Sequence, residues 1–324
     1  MTARRYAYKK KSLIALARLA DAVGDRLRRP DRSRPVDPKS ILVVRLDQMG
    51  DILQTLPVFE TLRHSFPNAR IGFLTTTQGA EIQSVVPTMA DEIFVWNCPW
   101  FVKKREPIVS AFKVISWLRS RRFDCALELR GDVRLIAMLR AGGVKNVVGY
   151  GATGGGCLLD VEGTWNPEVH AVDRNLALVE AIGGKITTRT PRLPTRPVAD
   201  PREKRLAIHP DAGTSAKRWP SEFFIETIDR LMGLPDLEIV LIGLNMELGR
   251  SITEGINRPA GGRLTNMMGK TSFGELVGLL SDCDGLLSND SGPAHLMAAL
   301  GKPIWVLWSG TANASEWCPR GPQV

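Results

Sequence analysis

The sequence predicts an α/β protein built from two doubly wound parallel-sheet domains in tandem. Three observations predict this. Short runs rich in Val, Ile and Leu alternate with helical segments from residue 39 onward, a proline-rich stretch interrupts them at 187–204, and the same rhythm then restarts. Continuous apolar runs joined by helical crossovers mark strands buried on both faces, as in parallel sheets.

In the first half, ILVVRL (41–46), IGFLTT (71–76), EIFVW (92–96), CALEL (125–129) and NVVGY (146–150) read as strands. One helix is expected over 51–65 and another in PIVSAFKVISWLRS. GATGGGCLLDVEGTWNPEVH is only weakly periodic and leads into the helix AVDRNLALVEAIGG. TTRTPRLPTRPVADPREKR (187–205) has few large apolar residues and reads as a linker. In the second half, RLAIHP (205–210), LEIVLIG (237–243), RLTNMM (263–268), GLLSND (285–290) and PIWVLW (303–308) read as strands, with helices beginning near Ser221, Glu247, Ser272 and Gly292. The expected organisation is an N-terminal extension (1–38), a first domain (39–186), the linker (187–204) and a second domain (205–324). Two such domains are expected to face each other across a cleft, with ligands at the carboxyl ends of the strands.

Composition narrows the function classes. A chain of 324 residues with 44% hydrophobic content can bury two cores. No run reaches the ~18 apolar residues of a membrane-spanning helix, and the first thirty residues are too charged for a secretory signal. Five scattered cysteines without a C-x-x-C pair argue for a reducing, cytoplasmic setting and against a zinc site or disulfide framework.

Charge is uneven. Residues 1–39 hold twelve Lys/Arg against four Asp, a net of +8, so only +1 of the chain's +9 is left for the rest. That body has neither a basic surplus nor a nucleic-acid-binding motif, so nucleic acid is not expected as a partner. In the extension, Leu13, Leu16, Ala20, Val23 and Leu27 recur on one helical face, flanked by Lys9–Lys11 and Arg26–Arg29. Residues 9–29 read as a basic amphipathic helix that either lies on an anionic membrane surface, packs on its own chain, or remains without fixed structure. The first reading makes the protein peripheral on the inner face of the cytoplasmic membrane.

Three segments carry chemistry. GLLSNDSGPAHLMAALGKPIWVLW runs from a buried strand into Asn289-Asp290-Ser291-Gly292-Pro293 and then a helix. Asp290 or Ser291 suits a cap and Pro293 the first turn, while the helix start offers N–H groups and partial positive charge to a diphosphate. HPDAGTSAKRWPSEFF places Gly213, Thr214, Ser215, Lys217 and Arg218 on one loop after a strand, which suits a phosphate-rich ligand. RLDQMGDILQTLP packs Asp47, Gly50 and Asp51 into one strand-to-helix turn, more acidity than a plain connection needs.

Together RLDQMGDILQTLP, HPDAGTSAKRWP and SNDSGPAHLMAALGKP, in that order, resemble the heptosyltransferases of glycosyltransferase family 9. The resemblance runs from about residue 40 to 320. It implies the GT-B architecture of two Rossmann-like domains, an acceptor site in the first and a nucleotide-sugar site in the second. It also implies metal-independent, inverting transfer of a heptose or related sugar from an ADP-sugar to a lipid-linked lipopolysaccharide-core or related cell-envelope glycan, with no cofactor. By this resemblance Asp51 is the general base, and Gly50 lets the acceptor approach. Lys217 with Gly213, Thr214 and Ser215 holds the diphosphate, joined by Asp290, Ser291, Gly292 and His295. Gly243 and Met268 wall the adenosine, and Glu247 reaches the ribose. Asp47 either caps the helix or raises the pKa of Asp51 by like-charge proximity. Arg130 and Asp132, with Arg134 and Arg63, face a phosphorylated acceptor. Asp282-Cys283-Asp284 imitates a D-x-D metal motif but reads as structural.

The chain stops at GTANASEWCPRGPQV where the family continues, so the resemblance implies a shortened second domain. Two rival readings are a membrane-associated nucleotide-sugar-binding protein without turnover and a nucleotide-sugar epimerase on the same fold. A dehydrogenase is disfavoured, because no G-x-G-x-x-G follows ILVVRL.

Overall fold

The structure is a computed structural model that describes residues 11–27, 37–101, 106–195, 204–258 and 261–322. It divides into two compact units, Met1–Arg189 and Thr190–Val324. The division falls inside the expected linker, of which residues 196–203 lie outside the described residues.

Unit 1 contains α1 (Lys11–Leu27), β1 (Ser40–Arg45), α2 (Met49–Leu53), α3 (Leu56–Ser65), β2 (Arg70–Thr75), α4 (Thr77–Val85) and β3 (Glu92–Val95). It continues through α5 (Ala111–Arg121), β4 (Cys125–Glu128), α6 (Val133–Ala141), β5 (Asn146–Tyr150), β6 (Val161–Gly163) and α7 (Ala171–Ala181). Its six strands are ordered β3-β2-β1-β4-β5-β6, all parallel. Unit 2 contains β7 (Lys204–His209), α8 (Ser221–Leu231), β8 (Leu237–Leu241), α9 (Met246–Glu254), β9 (Leu264–Asn266) and α10 (Phe273–Ser281). It ends with β10 (Gly285–Asn289), α11 (Gly292–Ala299), β11 (Ile304–Leu307) and α12 (Ala314–Trp317). Its five parallel strands are ordered β11-β10-β7-β8-β9. Each order reverses direction once, between β1 and β4 in unit 1 and between β7 and β10 in unit 2.

Every expected strand is present within two residues of its predicted ends. The central strands are apolar throughout because both faces are covered: Ile41, Leu42, Val43 and Val44 of β1 are fully buried. Leu42 and Val44 belong to a core that α5 and α6 close with Val114, Leu118, Leu135 and Leu139.

Two expectations need correction. The single helix over 51–65 is two helices, because Pro57 has no N–H to bond the Leu53 carbonyl. The Thr55 hydroxyl also donates to the Asp51 carbonyl at 2.9 Å, which helps to end α2. The weakly periodic stretch after residue 150 holds β6, whose three half-buried residues are too few to show alternation. The basic helix is present over Lys11–Leu27, while residues 9–10 and 28–29 of that reading lie outside the described residues. Among its described side chains Ala17 and Asp21 are buried, while Ala20 and Val23 of the predicted apolar face are exposed; Leu13, Leu16 and Leu27 of that face lie outside the described side chains.

The five cysteines are free thiols. No described helix is long and apolar enough to cross a membrane.

Leu42→Ala is expected to destabilise the protein by about 2–5 kcal/mol, since it opens a cavity in the centre of the unit 1 core. Leu19→Ala, at a side chain 65% exposed, should stay within about 0.5 kcal/mol of the parent. Equal denaturation midpoints for the two variants would contradict this assignment of core and surface.

Candidate functional site

The carboxyl ends of β1 and β4 gather the charged residues of unit 1. Arg45 ends β1 and is only 4% exposed. Its Nε lies 2.8 Å from Asp47 Oδ2, its Nη2 donates to Asp51 Oδ1 at 2.9 Å, and its Nη1 donates to the Leu129 carbonyl at 3.0 Å. The guanidinium therefore stands between the two aspartates, which are not a bare like-charge pair. Asp47 does not cap α2, whose N-cap is Gln48; it pairs with Arg45 and Arg130 instead. Asp47 is buried, whereas 26% of the Asp51 side chain is exposed. Gly50 lies in the first turn of α2, beside Asp51.

Glu128 ends β4, fully buried. Its carboxylate accepts the backbone N–H groups of Arg130, Gly131 and Asp132 at 3.2, 2.6 and 3.2 Å. Burial pushes its pKa up to about 8, and those N–H donors offset only part of the rise. Gly131, at φ +78°, makes the tight turn that aims these N–H groups inward. Arg130 stacks on Phe101 at 3.9 Å, and burial lowers its pKa to about 10.

Asp132 caps α6, accepting the Arg134 N–H at 2.9 Å, and pairs with the Arg134 guanidinium at 2.7 Å. Its carboxylate thus positions Arg134, which also stacks on Trp100 at 4.5 Å. Arg63 is elsewhere. It pairs with Asp91, whose carboxylate accepts the Ile71 N–H at the amino edge of the sheet, opposite Asp51.

The second gathering lies at the carboxyl ends of β7 and β10. His209 ends β7, with Nδ1 2.9 Å from Ser291 Oγ and 3.4 Å from Ser288 Oγ. Burial lowers its pKa to about 4, so the imidazole is neutral. Asn289 ends β10, fully buried; its Oδ1 accepts the Trp219 N–H at 3.0 Å and its Nδ2 donates to the Pro210 carbonyl at 2.9 Å. These two bonds tie the 210–219 loop to β10 and bring Lys217 within 2.6 Å of Asp290 Oδ2. Gly213, Thr214 and Ser215 are exposed on that loop, and Arg218 pairs with Asp211 at 2.9 Å.

Ser291 occupies the N-cap of α11, but its side chain does not cap the helix; the hydroxyl is turned to His209. Gly292 and Pro293 form the first turn, and His295 is buried one turn in. Gly243 follows β8 at φ +146°, where a Cβ would lie 2.9 Å from Met268 Cε and 3.5 Å from His209 Cδ2. Glu247 is exposed in the first turn of α9. Asp284 of the D-x-D look-alike accepts the Arg205 N–H at 2.8 Å and joins β10 to β7. Among the described residues no group of three or more His, Cys, Asp or Glu could hold a metal ion.

Arg45, His209 and Asn289 lie within the three motifs and Glu128 closes CALEL, but the sequence assigns none of the four a role. The available signal is the same for all four: a polar residue that closes an apolar strand. His209 adds a pH dependence. With a folded pKa near 4 against an ordinary 6.5, its contribution to stability is complete above pH 6.5 and is lost as pH falls towards 4. His209→Gln should flatten the fall of the denaturation midpoint over that interval, and an unchanged slope would contradict it.

The model of glycosyltransferase family 9 (heptosyltransferase) matches residues 111–323. The lipopolysaccharide core heptosyltransferase OpsX of Haemophilus influenzae is 23% identical over 291 residues, covering 84% of this chain and 79% of that protein. The solved structure of Escherichia coli ADP-heptose LPS heptosyltransferase II superposes with a TM-score of 0.73 at 22% identity, covering 88% of each chain. E. coli heptosyltransferase WaaC with ADP superposes with a TM-score of 0.70 at 19% identity, covering 88% of this chain and 91% of that one. The dodecameric iron-containing heptosyltransferase TibC is more distant, with a TM-score of 0.52 at 12% identity, covering 90% of this chain and 63% of that one. With its two Rossmann-like parallel sheets of the GT-B fold, the chain belongs to glycosyltransferase family 9 and is a glycosyltransferase.

Proposed function

We propose that this protein transfers a heptose from an ADP-sugar to a phosphorylated, lipid-linked glycan of the lipopolysaccharide core, inverting the anomeric centre without a metal. The observation that carries the reading is the gathering around Lys217 in unit 2. One ammonium, three exposed small residues and a helix start whose N-cap side chain is turned away suit the diphosphate of a nucleotide-sugar. Similarity to heptosyltransferases of lipopolysaccharide, and to structures described with ADP-heptose or ADP, supplies the sugar and the base.

In this reading Asp51 is the base. Arg45 holds its Oδ1, and Oδ2 takes the proton of the acceptor hydroxyl. The acceptor oxygen then forms a bond to the anomeric carbon from the face opposite the diphosphate. The bond from that carbon to the diphosphate oxygen breaks, and ADP leaves with the electron pair. Lys217 and the Gly292 N–H at the start of α11 stabilise the charge that develops on the leaving oxygen. A phosphate arriving at Lys217 competes with Asp290, which is then released towards the sugar hydroxyls. Gly243 and Met268 border the adenosine, and Glu247 reaches the ribose. On the acceptor side, Arg130 and Arg134, stiffened by Phe101 and Trp100, meet the phosphates, while Gly50 allows close approach and Asp132 orients Arg134.

A transfer assay with ADP-heptose and a core acceptor tests the reading. Asp51→Asn is expected to lower turnover roughly 10²–10⁴-fold, the usual contribution of a general base, with ADP affinity unchanged; parental turnover would remove Asp51 as base. Lys217→Ala should weaken ADP binding about tenfold or more, as loss of a charge-assisted hydrogen bond does. Unaltered affinity would contradict the diphosphate role. Transfer should also persist in excess chelator, and loss that one added metal restores would contradict the metal-independent mechanism.

A further inference from the structure

Helix α1 is attached to unit 1 by one face. Ala17 is buried, and the Asp21 carboxylate, 2% exposed, accepts the Gly155 N–H at 2.8 Å. Gly24 completes the face: a Cβ there would lie 2.4 Å from Cys157 Sγ, so only glycine lets the helix sit this close. The turn it sits on is bonded in turn to the acceptor-side loop. Thr153 donates its N–H to the Gly131 carbonyl at 3.0 Å, and its hydroxyl accepts the Val133 N–H at 2.9 Å. Hydrogen bonds therefore run from α1 to the residues beside Arg130.

Among the described side chains, those on the opposite face of α1 are exposed. Leu19 is 65% exposed and Val23 50% exposed, with Ala20 between them and Arg18 and Arg26 exposed on the same helix.

We propose that this outward face docks on an anionic phospholipid bilayer, with α1 lying in the headgroup region and the Asp21–Gly155 bond holding unit 1 to it. Charge selects the occupant. Residues 1–39 carry twelve Lys/Arg against four Asp, +8 of the chain's +9, so attraction to anionic headgroups is concentrated on the segment that bears the exposed apolar stripe. A second copy on the same face would bring two such positive segments together. The consequence for unit 1 is positional. Helix α1 rests on the turn that follows β5, so the anchored helix lies at the carboxyl edge of the sheet, the edge that carries Asp51 and Arg130. The inference stands apart from the donor assignment, because lipid binding is read without any substrate.

Co-sedimentation of the full chain with vesicles tests it. The chain should sediment with vesicles of phosphatidylethanolamine and phosphatidylglycerol and not with pure phosphatidylcholine, and binding should weaken as salt rises. The double variant Leu19→Ser/Val23→Ser should lower the partition about tenfold or more, with an unchanged thermal midpoint. Equal partition of the variant, or no partition of the parent, overturns the proposal. A dimer that becomes monomeric in the variant, without vesicle binding, overturns it in favour of a second copy. Asp21→Ala should keep the partition of the parent but speed tryptic cleavage after Arg18 and Arg26 in the vesicle-free chain; an unchanged rate overturns the latch.

Discussion

The order of the strands reverses once in each sheet, and the placement of chemistry in this protein depends on that reversal. Crossovers leave β1 and β4 on opposite faces of their sheet, and β7 and β10 do the same in theirs. The loops that follow such a pair diverge and leave a crevice at their carboxyl ends. Because the central strands are parallel and covered on both sides, charged side chains collect at their ends. All four reversal strands end in a buried polar residue: Arg45, Glu128, His209 and Asn289.

A buried polar group requires partners, and here the partners are the neighbouring loops. Arg45 orders both aspartates of its turn, and Glu128 gathers three backbone N–H groups of the next loop. His209 engages the Ser291 hydroxyl, and Asn289 ties down the loop that carries Lys217. The reactive side chains at the surface are thus positioned by residues that a ligand need not touch. In unit 2 the pairing of Lys217 with Asp290 neutralises a cation that would otherwise stand alone beside the start of α11. In the proposed donor site, an incoming diphosphate exchanges one anion for another at that cation.

The strands were legible because parallel sheets need uninterrupted apolar runs, and Val, Ile and Leu announce them directly. The split between α2 and α3 was legible too, in Pro57, but the helical periodicity on both sides of it concealed the break. β6 was not, since Val161–Gly163 is too short for a pattern. The gathering of Lys217 with Asp290 could be anticipated from two loops that each follow a strand. Their attachment could not, since Asn289 and Trp219 are seventy positions apart and meet only through strand order. Helix α1 shows another limit. Its periodicity marks an apolar face, yet among the described side chains those that attach the helix are Ala17, Asp21 and Gly24, which hydrophobicity does not distinguish.

The central claim is that the carboxyl edge of unit 2 binds an adenosine diphosphate. Thermal unfolding of the purified chain with ADP, UDP, GDP or CDP tests it directly. A ligand that binds only the folded state stabilises by about 2.7 kcal/mol at a hundredfold excess over its dissociation constant. The account predicts a raised midpoint with ADP that Lys217→Ala abolishes. A shift with UDP and none with ADP, or the same shift in the variant, would contradict it.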